Sequence, residues 1–244
     1  MAKLKKGGIL FFLGLLVWMT NIQTSTAQNS TSVVTSDFES WISAGVRLKV
    51  HDKWSFGLSE AIRLRENSTE IDQYFTNLAI GYAPFKFMEI SGGFRFSRKN
   101  KEEDGYISRY RINLDVAFKH KLERFSFNYR LRYQFRNELG VTSTDGDYFK
   151  HGFRLRAKTT YNIKKIPLEA SLGVEMFNQY EKYTLPFFDK LRFTAALAYD
   201  FKKYGKLKLF YSLEQEVFTS YPKSTSIVGL AYVYTIKIKK KKKK

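Results

Sequence analysis

RFSFNYRLRYQFR, residues 124–136, is the stretch of sequence that decides the fold. Its apolar side chains occupy every second position, at Phe125, Phe127, Tyr129, Leu131, Tyr133 and Phe135. Serine, asparagine, glutamine and arginine fill the positions between them. Because successive side chains of a β-strand point to opposite faces of the sheet, one face of this strand is apolar and the other carries arginines. The stretch therefore predicts a strand whose two faces lie in very different surroundings.

The same period of two runs along nearly the whole chain. Eleven segments show it, at residues 38–50, 54–64, 74–82, 88–96, 110–118, 125–135, 153–161, 168–176, 191–201, 207–213 and 228–238. After the N-terminal region no comparable stretch shows a helical period. We therefore predict an all-β protein.

The composition agrees with this alternation. Aromatic residues make up 17% of the 244 residues, with 22 Phe and 16 Tyr, yet the mean hydropathy is only −0.37. Large apolar side chains and polar side chains must therefore be interleaved. The length suffices for one domain with a sizeable core, or for two small ones. The chain has no cysteine, which excludes a disulfide framework, a thiolate metal site and a thiol nucleophile.

The N-terminus carries the three parts of a secretory signal peptide, in residues 1–27. Three lysines precede an apolar run at residues 9–19, and a polar stretch then ends in small residues. We predict export with cleavage after Ala27, and a mature chain that is not a lipoprotein because no cysteine stands at that point. The alternative is an uncleaved N-terminal anchor, although the apolar run is short for a membrane-spanning helix.

The chain is strongly basic, with a formal net charge of +19. Without the three lysines of the signal peptide it is +16, and the lysine tail at residues 239–244 supplies six of these charges. We predict that the tail is solvated, as blocks of like charge usually are. The alternative is a contact with anionic lipid or with an acidic periplasmic partner. Export and lipid-facing strands argue against nucleic acid as a partner.

The connections between the segments alternate in length. Short connections lie at residues 51–53, 83–86, 120–123, 164–166 and 202–205, and longer polar ones at 66–71, 98–105, 137–148 and 178–189. With strands of about ten residues, this alternation is typical of a transmembrane antiparallel up-and-down β-barrel, with short turns in the periplasm and longer loops outside. We predict such a barrel over residues 38–238, located in the outer membrane.

The number of strands poses a difficulty, because bacterial single-chain barrels normally have an even number. Alternating connections make the first and the eleventh segment run in the same direction. Residues 28–37 are predicted to be a short polar lead-in or a first strand, in which Ser30–Thr35 would be the extra strand. We therefore predict about twelve strands, with ten as the alternative.

A soluble β-sandwich is the alternative to a membrane barrel, since two sheets could share the apolar faces as a core. Three observations favour lipid. The apolar face persists along nearly every segment, and the opposite face carries many charges, often in pairs. Aromatic residues also crowd the segment ends beside the short turns, at Trp54, Tyr82, Phe85, Phe118, Phe125, Tyr161, Phe201 and Tyr204. Such aromatic girdles mark the membrane interfaces of barrels.

Residues 37–96 resemble an uncharacterised family of predicted outer-membrane barrels of Gram-negative bacteria, the domain of unknown function 2490 type. The residues that carry the resemblance are Trp41, Lys53-Trp54-Ser55, Glu60, Arg63, Asp72, Tyr74 and Gly93-x-Arg95-Phe96. The resemblance extends more loosely to the C-terminus. It implies a location and a fold, and no activity.

The end of the chain is similar to the signal that the barrel-assembly machinery recognises in a last strand. Gly229-x-x-Tyr232-x-Tyr234 carries this resemblance. The sequence departs from the signal in lacking a terminal Phe and in ending with lysines. The expected partners are thus membrane lipid and lipopolysaccharide, with the assembly machinery during insertion. The oligomeric state stays open.

The sequence offers little support for an enzyme. His51 and His120 are predicted in short turns, and His151 shares the outward parity of Phe153. None has an evident serine or acidic partner for a lipase, deacylase or protease. Phosphate-binding loops, dinucleotide-binding motifs and metal-ligand spacings are missing from the sequence. We therefore predict a non-enzymatic protein without cofactor or metal.

The patterned polar residues lie on the predicted lumen face. Seven arginines fall in the middle or outer half of three neighbouring strands, at Arg109, Arg111, Arg130, Arg132, Arg136, Arg154 and Arg156. Glu175, Glu214 and Glu216 lie at similar height further round the barrel. A basic wall facing an acidic one would favour small anionic or zwitterionic solutes in a narrow pore. Alternatively, these charges interlock and close the barrel, leaving a structural or surface protein.

Overall fold

A computed structural model describes residues 35–51, 53–101, 105–141, 150–180 and 188–238. The predicted signal peptide, residues 28–34 of the lead-in and the lysine tail lie outside the described residues. The strands in the described residues are β1 (Thr35–Val50), β2 (Trp54–Arg65), β3 (Glu70–Phe85), β4 (Met88–Lys101), β5 (Gly105–Leu122), β6 (Phe125–Glu138), β7 (Lys150–Asn162), β8 (Leu168–Tyr180), β9 (Lys190–Asp200), β10 (Lys206–Glu216) and β11 (Lys223–Ile238). A short 3₁₀ helix at Lys202–Tyr204 joins β9 to β10.

The sheet is a closed barrel in which each strand pairs antiparallel with the next along the chain. Closure comes from β1 and β11, which pair in parallel from Thr35 opposite Lys223 to Val50 opposite Ile238. The all-β barrel is therefore confirmed, and the two-sheet sandwich is excluded.

Both predicted strand counts are wrong, because the described residues form eleven strands. β1 pairs with β2 on one side and with β11 on the other, so the sheet has no edge left for a twelfth strand. An odd number requires the first and last strands to run in the same direction. Parallel pairing satisfies that requirement, and Thr35–Asp37 belong to β1 itself.

The register around the barrel is staggered. Following paired residues from Val50 through every strand leads back to β1 at Ser36, 14 positions before the starting residue. A stagger of this kind means that the strands are tilted against the barrel axis.

The two ends of the barrel differ. One end, the tight-turn end, carries the short connections, including Lys86–Phe87 and Glu123–Arg124. The other, the long-loop end, carries the remaining connections. Residues 98–105 were expected to form a long loop, but Arg98–Lys101 continue β4, where Lys99 lies opposite Ile107. In this extension of β4, Lys99 forms a salt bridge with Asp72 at 2.8 Å. Likewise, His120 lies in β5 and not in a turn.

Apolar side chains cover the outside of the barrel. Leu78 and Leu114 on the outer face are 52% and 54% exposed, whereas Asp115, the next residue along, is 6% exposed on the inner face. In the described residues, 44 large hydrophobic side chains are exposed, and only Phe75, Phe177, Ala198 and Ile227 are buried hydrophobic ones. None of the described residues forms a helix long and apolar enough to cross a membrane.

Aromatic rings pack together around the tight-turn end. The ring centroids of Trp54 and Tyr82 are 4.7 Å apart, and those of Phe125 and Tyr161 are 4.9 Å apart. Phe85 at the same end is 57% exposed. These residues form a band of rings on the outer surface, at the ends of the strands.

Candidate functional site in the barrel interior

The inner face of the barrel is polar and densely charged. The structure places all ten of the charged residues predicted for the lumen on this face, alternating with the exposed apolar residues of β5 to β8 and β10. Six of them line one large cavity: Arg109, Arg111, Arg136, Arg154, Glu214 and Glu216. Arg156 and Glu175 line a second cavity. The inner face is therefore the candidate functional site.

Carboxylates tie several of these arginines together. Arg132 donates to both carboxylate oxygens of Asp115, at 2.7 Å and 2.6 Å. Arg130 donates to Glu175 at 2.6 Å and also lies 3.9 Å from Asp115. Removing one member of such a buried ion pair is destabilising, because it leaves the other charge buried and uncompensated.

The predicted acidic wall is neutralised by β9. Arg192 donates to Glu214 and lies 4.0 Å from Glu175. Lys190 lies 2.9 Å from Glu214 and 3.5 Å from Glu216. All three glutamates are thus paired with cations, and they do not face the arginines as a separate wall.

Several arginines face each other across neighbouring strands. Arg95 lies opposite Arg111, which in turn lies opposite Arg136. Arg132 lies opposite Arg154 in the same manner. Like charges in directly opposed positions destabilise a sheet, so this arrangement requires compensation.

Aromatic rings supply part of that compensation. The guanidinium carbon of Arg95 lies 3.5 Å from the ring centroid of Phe75, and that of Arg154 lies 4.4 Å from the centroid of Phe177. Arg95 also donates to Asn77 at 2.6 Å. Within the described residues, neither arginine has a carboxylate within salt-bridge distance. Cation–π contacts stabilise such cations without cancelling their charge.

Five side chains form a layer across the lumen, the arginine–aromatic layer, which consists of Trp41, Arg63, Arg154, Phe177 and Arg192. Arg63 lies 3.6 Å above the Trp41 ring, and Arg192 lies 5.0 Å from the same ring. Arg192 is also 4.7 Å from the centroid of Phe177. Contacts between cations and rings therefore join residues from β1, β2, β7, β8 and β9.

This layer separates two cavities. The larger, of about 580 Å³, is bounded by Val217, Phe218 and Thr219 at the long-loop end, and we call it the vestibule. The smaller, of about 200 Å³, lies on the other side of the layer. Trp41 and Arg192 line both cavities, so they stand at the constriction between them.

Among the described residues, the lining of the vestibule has an excess of positive charge. It contains nine basic residues, at Arg63, Arg95, Lys99, Arg109, Arg111, Arg136, Arg154, Lys190 and Arg192. Five acidic residues face them, at Glu39, Asp72, Asp189, Glu214 and Glu216. The smaller cavity is lined by four basic residues and by Glu175. A basic excess on both sides of the constriction attracts anions.

Four residues of the interior, Trp41, Arg63, Arg95 and Arg192, were missed as site residues by the sequence analysis. The alternation of inward and outward positions along each strand is the signal that identifies them. Trp41 lies at an odd position in a strand whose outward residues, such as Ile42, are even. Arg192 likewise alternates with outward neighbours in β9. The period of two assigns these side chains to the lumen, although it does not show which of them meet.

One carboxylate departs from the pattern of the outer face. Glu60 lies at an outward position of β2, between Leu58 and Ile62, and its side chain accepts a hydrogen bond of 2.9 Å from Thr76 Oγ1. Its neighbours in the register, Ala44 on β1 and Thr76 on β3, are small. Glu60 is therefore an acidic side chain in otherwise apolar surroundings.

None of the three histidines lines the vestibule. His120 packs against Phe127 at a ring distance of 6.2 Å, and Nδ1 of His151 lies 2.7 Å from the hydroxyl of Tyr133 on the outer face. His51 lies in the turn after β1. Within the described part of the chain, no cluster of three or more histidine and acidic residues is arranged to hold a metal ion.

Fold and site together define a class of protein: a closed β-barrel with an apolar outside and a charged, divided interior. The chain belongs to the family described as protein of unknown function (DUF2490), whose family model matches residues 38–222. This match extends from β1 to the connection after β10, and it confirms the family resemblance. Comparisons with curated proteins and with solved structures gave no match.

Proposed function

We propose that the protein is a β-barrel of the bacterial outer membrane that gives small anionic solutes a narrow, basic pathway. The observation that carries the location is the inverted distribution of side chains: in the described part of the chain, 44 large hydrophobic residues are exposed and four hydrophobic ones are buried. Soluble proteins rarely expose contiguous apolar patches larger than a few hundred Å². An apolar band around a closed cylinder suits acyl chains.

The aromatic band and the end of β11 support the same location. Trp54 and Tyr82 lie at the tight-turn end, where amphipathic rings would meet the headgroup region. Gly229, Tyr232 and Tyr234 lie in β11, the last strand, as expected for recognition by the barrel-assembly machinery. Under this proposal the lipid partners are acyl chains and lipopolysaccharide.

The charge of the interior supports the choice of solute. Of the residues that the structure describes, nine basic and five acidic ones line the vestibule, and four basic ones and one acidic one line the cavity beyond it. An anion moving from one cavity to the other meets a basic excess throughout. In this proposal the protein is not an enzyme. The placement of the three histidines outside the lining of the vestibule supports this.

The closed structural barrel is the second candidate function, and the arginine–aromatic layer favours it. Trp41 is held by Arg63 at 3.6 Å within this layer, which narrows the lumen to a constriction. If the layer is rigid, the barrel serves as a structural or surface protein without transport.

Single-channel recording distinguishes the two functions. Purified protein in a planar bilayer should give discrete conductance steps, and the reversal potential in a KCl gradient should show a preference for chloride. Stable insertion without any conductance step would favour the closed barrel. A preference for potassium would contradict the anionic pathway.

The location is tested separately. We expect the protein to fractionate with outer membranes, to require detergent for extraction, and to migrate faster in a gel before boiling than after it. Solubility without detergent, together with identical migration before and after boiling, would contradict the proposal.

A further inference from the structure

Three arginines of the vestibule, Arg95 on β4, Arg111 on β5 and Arg154 on β7, are not neutralised by carboxylates. All three line the same cavity of about 580 Å³. Within the described residues, none of the three has a carboxylate within salt-bridge distance. Arg95 and Arg111 lie directly opposite each other across adjacent strands, and the charge of Arg154 acts on both of them. Three positive charges therefore share one region of the lumen.

Part of the hydrogen-bonding capacity of the three arginines is also unused. The Nε atoms of Arg111 and Arg154 are buried and have no hydrogen-bond partner. A buried donor without a partner costs free energy, and the cost is larger for charged groups. Arg95 uses its Nε for Asn77 at 2.6 Å, which leaves its terminal nitrogens for other partners. The cluster therefore offers several charged donors, of which the Nε atoms of Arg111 and Arg154 have no acceptor.

Four of the five acidic residues that line the vestibule bind other groups. Glu39 accepts from Trp41 Nε1 at 2.7 Å, and Asp72 is bound to Lys99 at 2.8 Å. Glu214 and Glu216 are paired with Lys190. These four carboxylates are therefore engaged with other groups, and none of them forms a salt bridge with the three arginines.

We propose that Arg95, Arg111 and Arg154 form a binding site for the phosphate group of small phosphorylated solutes. Guanidinium groups bind phosphate oxygens through pairs of parallel hydrogen bonds, and three groups on three strands match the several oxygens and double charge of a phosphate monoester. A cavity of about 580 Å³ lies within the range of small-molecule sites. The site rests on the proposed function only in requiring that water-borne solutes enter the vestibule.

Calorimetric titration of the detergent-solubilised protein with inorganic phosphate tests this site. We expect saturable binding that becomes about tenfold weaker for each of Arg111→Gln and Arg154→Gln, since each removes a charge-assisted hydrogen-bonding group. Acetate, which has one charge and two oxygens, should bind at least tenfold more weakly than phosphate. Arg47→Gln is the matched control: it removes one charge at a residue that lines neither cavity, and phosphate affinity should not change.

Folding of each variant is checked by its gel migration before and after boiling. For a variant that fails this check, the corresponding Arg→Lys change keeps the charge and removes the planar fork, and it should still weaken phosphate binding severalfold. Three results would overturn the site: no saturable phosphate binding to the unaltered protein, equal binding of acetate, or full affinity in the folded Arg111 and Arg154 variants. None of these measurements needs a conducting barrel, so failure of the pathway and failure of the site are distinguishable.

Discussion

Trp41 lies between two arginines in the lumen: the guanidinium carbon of Arg63 is 3.6 Å from the centroid of its ring, and that of Arg192 is 5.0 Å away. The ring nitrogen also donates to Glu39 at 2.7 Å. The indole is thus fixed by β1, β2 and β9 at the constriction between the two cavities. Trp41 is thus a side chain shared by the linings of the vestibule and the smaller cavity.

Replacing Trp41 should therefore widen the lumen. We expect Trp41→Ala to raise the single-channel conductance severalfold, because it removes the largest side chain that lines both cavities. Recording in planar bilayers measures this directly. Trp54→Ala, at the outer rim, is the matched control and should leave the conductance unchanged. An unchanged conductance in the Trp41 variant would show that the constriction lies elsewhere.

Charge reversal in the vestibule should alter ion preference. Arg95→Glu combined with Arg111→Glu replaces two cations that have no carboxylate partner among the described residues. We expect the reversal potential in a KCl gradient to move toward that of a cation-preferring pore, since the vestibule loses its basic excess. A reversal potential that does not move in a folded, conducting variant would contradict the proposed anionic pathway.

Arginines that form a salt bridge with a carboxylate should behave differently from Arg95 and Arg111. Arg132 is held by both oxygens of Asp115. Arg132→Met therefore leaves this buried carboxylate with a single salt-bridge partner among the described residues, Arg130 at 3.9 Å. We expect a loss of about 3 kcal/mol in the free energy of unfolding, measured by urea titration in lipid vesicles. In the double variant with Asp115→Leu, much of this loss should be recovered. A double variant as unstable as the single one would show that the pair does not carry the effect.

Much of the fold follows from the period of two. In the quoted stretch, every outward residue from Phe125 to Phe135 lies on the outer face, because one face of a strand must serve one environment along its whole length. The number of strands in the barrel could not be predicted from this period, since the parallel pairing of β1 with β11 depends on how the two ends of the sheet meet. Pairing between strands that are far apart in the sequence cannot be recognised from the local amino-acid composition.

The inward residues of the site were predictable, but their partners were not. Parity assigns Arg130 and Glu175 to the lumen, yet they lie 45 positions apart, and their contact at 2.6 Å depends on strand stagger. The same holds for Trp41 and Arg192, which meet because the barrel closes. Local pattern determines the face of a side chain, and register around the closed barrel determines which side chains meet.

Glu60 offers a test of the outer face. If this face meets hydrocarbon, Glu60→Leu should raise the free energy of unfolding in lipid vesicles by roughly 1 kcal/mol, because acidic side chains on a lipid-facing strand are destabilising. Urea titration of the reconstituted protein measures the change. Loss of the hydrogen bond from Thr76 is expected to offset only part of the gain.

The matched control for that change is Glu175→Leu, which also removes one carboxylate from a strand. Glu175 lies on the inner face and is bound by Arg130 at 2.6 Å, so this variant should lose stability. Destabilisation of both variants to the same extent would indicate that the two faces do not differ in environment.

Quenching of tryptophan fluorescence by brominated acyl chains tests the central claim, that lipid surrounds the apolar face, most directly. The chain has three tryptophans, Trp18, Trp41 and Trp54, and changing two of them to Phe leaves a single reporter. In vesicles of brominated lipid we predict strong quenching of Trp54, which is 44% exposed on the outer rim, and little quenching of Trp41 in the lumen. Equal quenching of the two, or stronger quenching of Trp41, would contradict the account.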